Sequence, residues 1–196
     1  SKEISQEKIF STFTLSKISN LPIPFAYVTR GVSAWLKSII HDYLRRNNIL
    51  IPTSLELRRG LETDEVPGAL TITPKSGIYF NTVVTDFESL YPSCIDSYNL
   101  SYETVRCNHP ECKGNKVPGT PHWICTRREG ITNLIIGVIR DVRVEYFKPQ
   151  SKEASLSPAQ RSWFSVVEQA LKVFLNASYG VLGASHFPLY CAPAAE

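Results

Sequence analysis

Methionine is absent from all 196 residues; the chain opens at Ser1 and closes on Ala194-Ala195-Glu196 with no helix stop signal. Both ends are therefore expected to be cuts in a longer polypeptide. Long apolar runs are also lacking, and none approaches the ~20 residues that span a bilayer. No charged N-terminal segment precedes an apolar stretch, so no signal peptide is read and a cytoplasmic protein without a membrane partner is expected. Charge of one sign is scarce. The 21 Lys+Arg against 18 Asp+Glu leave a net charge of +3, too weak to argue for nucleic acid by itself. Cysteine is sparse and odd in number (Cys94, Cys107, Cys112, Cys125 and Cys191), which argues against a secreted disulfide scaffold. Internal repeats and low-complexity tracts are absent. What is present is a 43% hydrophobic composition, enough for one sizeable core or for a core with a small appendage.

Helical periodicity stands out in three places. Residues 33–47 put Trp35, Leu36, Ile39, Ile40, Tyr43 and Leu44 three and four apart, with Ser33 as N-cap and Asn47-Asn48 as a stop. Residues 131–147 place Leu134, Ile135, Val138, Ile139, Val142 and Tyr146 on one side, and Pro149 is expected to end the helix. Ser157-Pro158 opens a third helix, with Ser157 as N-cap, that runs to Tyr179 and stops at Gly180. A short polar link makes the last two an antiparallel hairpin. Residues 69–72 and 78–84 read as strands joined through Pro74 and Gly77, the second delivering Asp86 to a sheet edge. Residues 52–68 read as a polar loop, and 106–130 as a loop rich in Cys, His, Pro and Gly.

Two segments carry chemistry. Lys172, Asn176 and Tyr179 lie four and three residues apart and share one helix face beside Gly180. A cation, an amide and a phenol next to a residue that permits close approach suit a polyanionic ligand bearing a base and a sugar. The competing reading is a solvated face in which Glu168 and Lys172 form an ordinary i,i+4 pair. The second segment is Asp86-Phe87-Glu88-Ser89-Leu90-Tyr91-Pro92-Ser93. A carboxylate followed by a turn with exposed amides suits a divalent ion and a phosphate; the competing reading is a capped turn.

Together, in this order, the two segments resemble the first and second motifs of family B DNA polymerases, Asp-x-x-Ser-Leu-Tyr-Pro-Ser and Lys-x3-Asn-x2-Tyr-Gly. Asn99-Leu100-Ser101-Tyr102-Glu103-Thr104 and Phe187-Pro188-Leu189-Tyr190 are similar to archaeal members. The resemblance covers about residues 30–196. It implies an α/β (α+β) fold in which a partial palm β-sheet with helices carries an antiparallel two-helix fingers hairpin. The division it implies is a linker and helix leading into the palm over 1–66, palm over 67–130, fingers over 131–180 and a return to palm over 181–196.

The resemblance implies DNA-directed DNA polymerase activity in a longer chain, with two Mg2+ ions as cofactors and primer–template DNA and deoxynucleoside triphosphates as partners. A sliding clamp would be reached through regions this sequence lacks. Asp86 takes the place of the catalytic, metal-binding aspartate, and the Phe87 carbonyl that of a further metal ligand. Ser89 and Leu90 would contact the triphosphate, and Tyr91 would exclude a 2′-hydroxyl. Lys172 and Arg143 (Arg140 is the runner-up) would contact phosphate, Asn176 would bind the nucleotide, and Tyr179 would check the nascent pair. Gly68, in the loop Val66-Pro67-Gly68-Ala69, and Gly180 would lie along DNA. The family's third motif, Asp-Thr-Asp, has no counterpart here, so the segment alone is expected to be inactive. The alternative is a non-catalytic, polymerase-like DNA-binding or scaffold subunit.

Cys107-x4-Cys112 and His122-x2-Cys125 supply a four-ligand set for zinc. The resemblance to archaeal members, some of which carry a disulfide in this loop, puts a disulfide or free thiols ahead of zinc. Cys191 is expected to be a free thiol.

Overall fold

The structure, a computed structural model, describes residues 2–28, 31–58 and 72–195. Helix α1 (Lys2–Ser19) leads into the short α2 (Ile23–Val28), and α3 (Val32–Arg46) follows. On α3 the three-and-four spacing does what it predicts: Trp35, Leu36, Ile40 and Leu44 are buried, while Arg45 and Arg46 occupy the last turn beside the negative helix end. Within the stretch expected to be a loop, α4 (Ser54–Arg58) forms a single turn that Thr53 caps, its backbone N–H and its hydroxyl both donating to the Glu56 carboxylate at 2.8 Å.

The expected palm β-sheet is not there. The described residues contain no sheet, only two isolated antiparallel bridges, Val105 with Ile124 and Lys116 with Trp123. The chain from 78 to 84 has no regular structure, and Ile78, Phe80 and Val84 are 86%, 84% and 87% exposed. A β-rich sequence becomes a strand only when another strand accepts its N–H and C=O groups. No described segment pairs with this one, so the period-2 pattern has nothing to act on. Residues 69–71 of the other expected strand, and the 66–69 loop with Gly68, lie outside the described residues.

Immediately after this stretch the chain forms α5 (Leu90–Ser97), where the sequence suggested only a turn. Helix α6 (Ile131–Asp141) lies against it. The Arg140 guanidinium pairs with the Asp96 carboxylate of α5 at 2.7 Å and with Asp141 at 2.6 Å. Beyond Asp141 the helix widens into a π stretch, Val142–Phe147, and resumes as α7 (Lys148–Gln150). Pro149 therefore does not end the helix at Phe147. It sits in the first turn of the α segment that follows the π stretch, where the change of hydrogen-bond register accommodates a residue without an N–H.

Helix α8 (Pro158–Leu182) is the longest element. Ser157 and Gln160 form a reciprocal capping box at its start. It runs past Gly180 to Gly183. A lone exposed glycine costs about 1 kcal/mol relative to alanine. Burying Leu182 completely offsets this by roughly 1.5–3 kcal/mol, so the helix continues. Packing of α8 on the π stretch and α7 makes the expected hairpin. At its tip Tyr146, Phe147, Trp163 and Phe164 pack edge-on or tilted with centroids 4.9–6.0 Å apart. At its base, Phe174, Leu175 and Leu182 join Ile136, Ile95, the α3 face, Phe187 and Leu189 in one apolar core. Short α9 (Ala192–Ala195) also packs on α8.

The loop before α6 is docked by side chains. Asn99 accepts from the Gly130 N–H at 2.7 Å and donates to the Arg128 carbonyl at 2.9 Å; Ser101 bonds Thr132 at 2.9 Å; Glu103 accepts from the Ile131 N–H. A methyl group on Gly130 would stand 2.5 Å from the Ser101 Cβ and 2.7 Å from the Asn133 Oδ1. Ser101 is fully buried and cannot retreat. Gly130→Ala is expected to lower unfolding free energy by about 2 kcal/mol, measured by urea denaturation, because overpacking outweighs any gain in backbone entropy.

Candidate functional site

A cleft of about 570 Å³ opens between the start of α5 and the hairpin. Asp86, Phe87, Glu88, Ser89, Leu90 and Tyr91 form one wall; Arg143, Lys148, Lys172 and Asn176 form the other. The two segments singled out in the sequence thus face each other across one space.

The backbone explains the first wall. Ser89 adopts a left-handed conformation (φ 54°, ψ 43°), uncommon for a residue other than glycine and worth of order 1–3 kcal/mol of strain. This sharp corner turns the extended chain into α5. The first turn of α5 has no side-chain cap, so its N–H groups remain available to an anion. Asp86 lies exposed just before the corner and accepts its neighbour Phe87's N–H at 2.8 Å.

The second wall is set by charge pairing. Arg143 is buried in the π stretch, where the wider winding alters the face its side chain takes. Its Nε and Nη2 donate to one oxygen of Glu168 on α8 at 2.9 and 2.6 Å, and its Nη1 donates to the Ser89 hydroxyl at 2.9 Å. One guanidinium therefore ties both hairpin helices to the corner before α5. Arg140 is engaged by Asp96 and Asp141 and does not line the cleft. Lys148 pairs with Glu88 across the opening, and its hydrogen bond holds the Glu88 carboxyl below the usual carboxylate range.

Glu168 is thus not the partner of Lys172. It is buried with Arg143, whereas Lys172 is exposed and has no ion pair among the described residues. Among the described residues, Asp86 and Lys172 are the carboxylate and the cation of the cleft that no ion pair engages. One turn beyond Lys172, Asn176 is likewise exposed to the cleft. Tyr179 stacks on Tyr91, with centroids 4.5 Å apart and planes 11° from parallel, and its hydroxyl donates to the Ala195 carbonyl. Burial, then the neighbouring Tyr91, raises the Tyr179 phenol above its ordinary pKa. Gly180 is exposed with open space where a Cβ would stand. Sequence reasoning missed Glu168, Lys148 and Glu88; the i,i+4 spacing of Glu168 and Lys172 pointed to the wrong partner.

A second cluster lies in the 106–130 loop. The ligand atoms of Cys107, His109, Cys112 and Cys125 all fall within 4.8 Å of one another. Three of the expected residues meet, but the histidine among them is His109; His122 is buried outside the group. A 3-10 turn, Pro110–Gly114, folds His109 back beside Cys112. All five cysteines are free thiols. Cys191 is set apart in a cluster with Val105, Ile124 and Ala194, where burial pushes its thiol up to about 11.

The family profile described as DNA polymerase family B matches residues 23–196. DNA polymerase 1 of Aeropyrum pernix is 40% identical over 181 residues, which cover 86% of this chain and 19% of that protein. DNA polymerase 1 of Sulfolobus acidocaldarius is 39% identical over 194 residues, covering 93% and 22%. The solved family B DNA polymerase of the hyperthermophilic archaeon Pyrobaculum calidifontis superimposes with a TM-score of 0.74 at 25% identity, over 98% of this chain and 25% of that one. The chain thus spans about a fifth of the length of the curated relatives it matches. Among the described residues no helix is long and apolar enough to cross a membrane. With a family profile covering all but the first 22 residues and two relatives at about 40% identity, the chain belongs to DNA polymerase family B.

Proposed function

We propose that this chain is the nucleotide-binding part of a DNA-directed DNA polymerase, with residues 131–180 as its fingers and the Asp86–Tyr91 corner as the floor of its active site. The observation that carries this is the cleft in which uncommitted Asp86 faces uncommitted Lys172 and Asn176. Nucleotidyl transfer asks little covalent chemistry of a protein; alignment and charge stabilisation do the work. A site offering one carboxylate, one cation, a carboxamide and helix-terminal amides is equipped for that task.

Each residue has a role set by its position. Lys172 neutralises triphosphate charge from the hairpin side, and Arg143, fixed by Glu168, presents its remaining donor capacity next to Ser89. The Ser89 and Leu90 amides hold phosphate oxygens from the floor. Asn176 orients the nucleotide, and Tyr91, stacked under Tyr179, limits the space beside the sugar 2′ position. Tyr179 and Gly180 lie along the nascent base pair. Primer–template DNA and deoxynucleoside triphosphates are the partners this site would take.

The donor set at the floor, the Asp86 carboxylate and the backbone carbonyls around it, is all oxygen and suits magnesium, which needs few protein ligands when phosphates supply the rest. Asp86 and the Phe87 carbonyl would hold it. The chemistry expected of two bound magnesium ions is activation of the primer 3′-hydroxyl and neutralisation of the pyrophosphate leaving group. Because no Asp-x-Asp occurs in these residues, the second carboxylate position is not filled from within them.

The test is primer extension by a polypeptide that joins this chain to an Asp-Thr-Asp motif. Lys172→Ala is expected to raise the KM for deoxynucleotide by roughly 10–100-fold, the value of one hydrogen bond to a charged group. Fold should be preserved, since Lys172 is exposed and unpaired among the described residues. An unchanged KM would remove Lys172 from the nucleotide site.

A further inference from the structure

The 106–130 loop has almost no apolar interior of its own. Ile124 and Val117 pack outward on Val105, Cys191 and Ala194, and the cluster left to the loop itself is Cys107, Cys112 and Cys125, with Trp123 packed on the outside. The thiols are 6%, 0% and 3% exposed. So short a segment, lacking a core, ordinarily needs a covalent or metal staple to hold one conformation.

The backbone delivers four ligands from two arms. The Val105–Ile124 bridge sets Cys107 near Cys125, and the Trp123 indole locks this register by donating to the Cys107 carbonyl at 2.9 Å. The 3-10 turn then folds His109 and Cys112 back onto the pair, with the Cys112 N–H bonded to the His109 carbonyl at 3.1 Å. The His109 Nδ1 comes to 3.4 Å from the Cys125 sulfur. The Cys112 sulfur accepts the Thr126 backbone N–H at 3.4 Å, with the Thr126 hydroxyl at 3.5 Å. Outer-sphere hydrogen bonds of this kind orient a sulfur ligand and favour its thiolate form.

We propose that Cys107, His109, Cys112 and Cys125 bind one zinc ion that clamps this loop against the base of the hairpin. Zinc–sulfur bonds near 2.3 Å place tetrahedral sulfurs about 3.8 Å apart. The four atoms already lie within 4.8 Å, so binding asks for a contraction of about 1 Å at most. A disulfide uses two of these groups and leaves a buried thiol and an imidazole nitrogen pressed against it. Three sulfurs from buried cysteines and one nitrogen from half-buried His109 fill all four positions and make a structural rather than a catalytic zinc site. The position gives the clamp its purpose. Just beyond Cys125, Arg128 and Gly130 are bonded to Asn99, and Ile131, the first residue of α6, to Glu103. Fixing the loop fixes the start of the helix that carries Arg140 and, through its π extension, Arg143. This inference is independent of the polymerase reading.

The experiment purifies the polypeptide that contains this chain without a polyhistidine tag and without added zinc. Metal content is measured by plasma mass spectrometry, and thiols are counted after denaturation with a chelator. We expect about one zinc per chain and a full set of titratable thiols from the five cysteines. Exchange with cobalt should give the thiolate charge-transfer and tetrahedral d–d absorption of a sulfur-rich site. His109→Ala should lower zinc affinity by at least about tenfold, whereas His122→Ala should keep its zinc. Chelation should lower the thermal midpoint by at least about 5 °C. Metal-free protein would overturn the proposal, whether two thiols are lost to a disulfide or all five titrate. So would zinc retention that depends on His122 instead of His109.

Discussion

Replacing Glu168 with alanine is expected to destabilise the protein by about 3–5 kcal/mol. The pair it breaks is buried on both sides, with side chains 7% and 9% exposed. Burying two charges is expensive, and their attraction only roughly repays it. Removing one partner is another matter, because Arg143 cannot shed its proton and its guanidinium would keep only the Ser89 hydroxyl. Chemical denaturation should show a lower midpoint with little change in slope. Glu168→Gln should lose less, since an amide oxygen can still accept. A double replacement of Arg143 and Glu168 by apolar residues of similar volume should recover most of the stability and none of the nucleotide affinity. That pattern separates a bridge that positions a phosphate ligand from one that only holds two helices together. A loss below about 1 kcal/mol for Glu168→Ala would mean that the pair is hydrated and worth no more than a surface ion pair.

Helices with a strong apolar period were legible from the chain alone. The buried face of α3 and the capped start of α8 follow from spacing and from Ser157-Pro158, because each depends on residues a turn apart. The hairpin followed from the two helices and their short link. The failures share a cause. The 78–84 pattern was that of a strand, but a strand is a relation between two segments, and the second is not among the described residues. Helix α5 was hidden by its corner: Ser89 at positive φ and Pro92 in the first turn look like loop chemistry, and the helix is stabilised by α6 instead of by its own propensity. Pro149 and Gly180 have the chemistry of helix stops, yet a π stretch and core burial override them.

The candidate site divides the same way. Asp86, Ser89, Tyr91, Lys172 and Asn176 line one cleft, and motif spacing already places each on a definite corner or helix face. Glu168, Glu88 and Lys148 were not, because their partners lie 25 to 60 residues away and only packing reveals them. The histidine of the cysteine cluster was misassigned for a local reason. His122-x2-Cys125 and His109-x2-Cys112 have identical spacing, and only the 3-10 turn at 110–114 selects between them.

Asp86→Asn, in a polypeptide that also carries the third motif, is expected to lower kcat for primer extension by on the order of 10³-fold, about 4 kcal/mol of transition-state stabilisation. The substitution is close to isosteric. Asparagine keeps an oxygen for the Phe87 N–H that Asp86 now accepts, and the residue is exposed, so unfolding free energy should change by less than about 0.5 kcal/mol. What disappears is one negative charge on the wall facing Lys172. A carboxylate that serves the metal-assisted step should affect turnover far more than nucleotide KM, the reverse of the effect expected for Lys172→Ala. The contrast separates floor from fingers: opposite signatures at the two walls of one cleft mean that one grips the triphosphate and the other serves the reacting centre. Asp42→Asn is the fitting control, since among the described residues Asp42 pairs with Arg46 on α3 at 2.7 Å and does not line the cleft. Equal losses from Asp42→Asn and Asp86→Asn, or a loss in Asp86→Asn that saturating nucleotide restores, would show that Asp86 is not at the reacting centre.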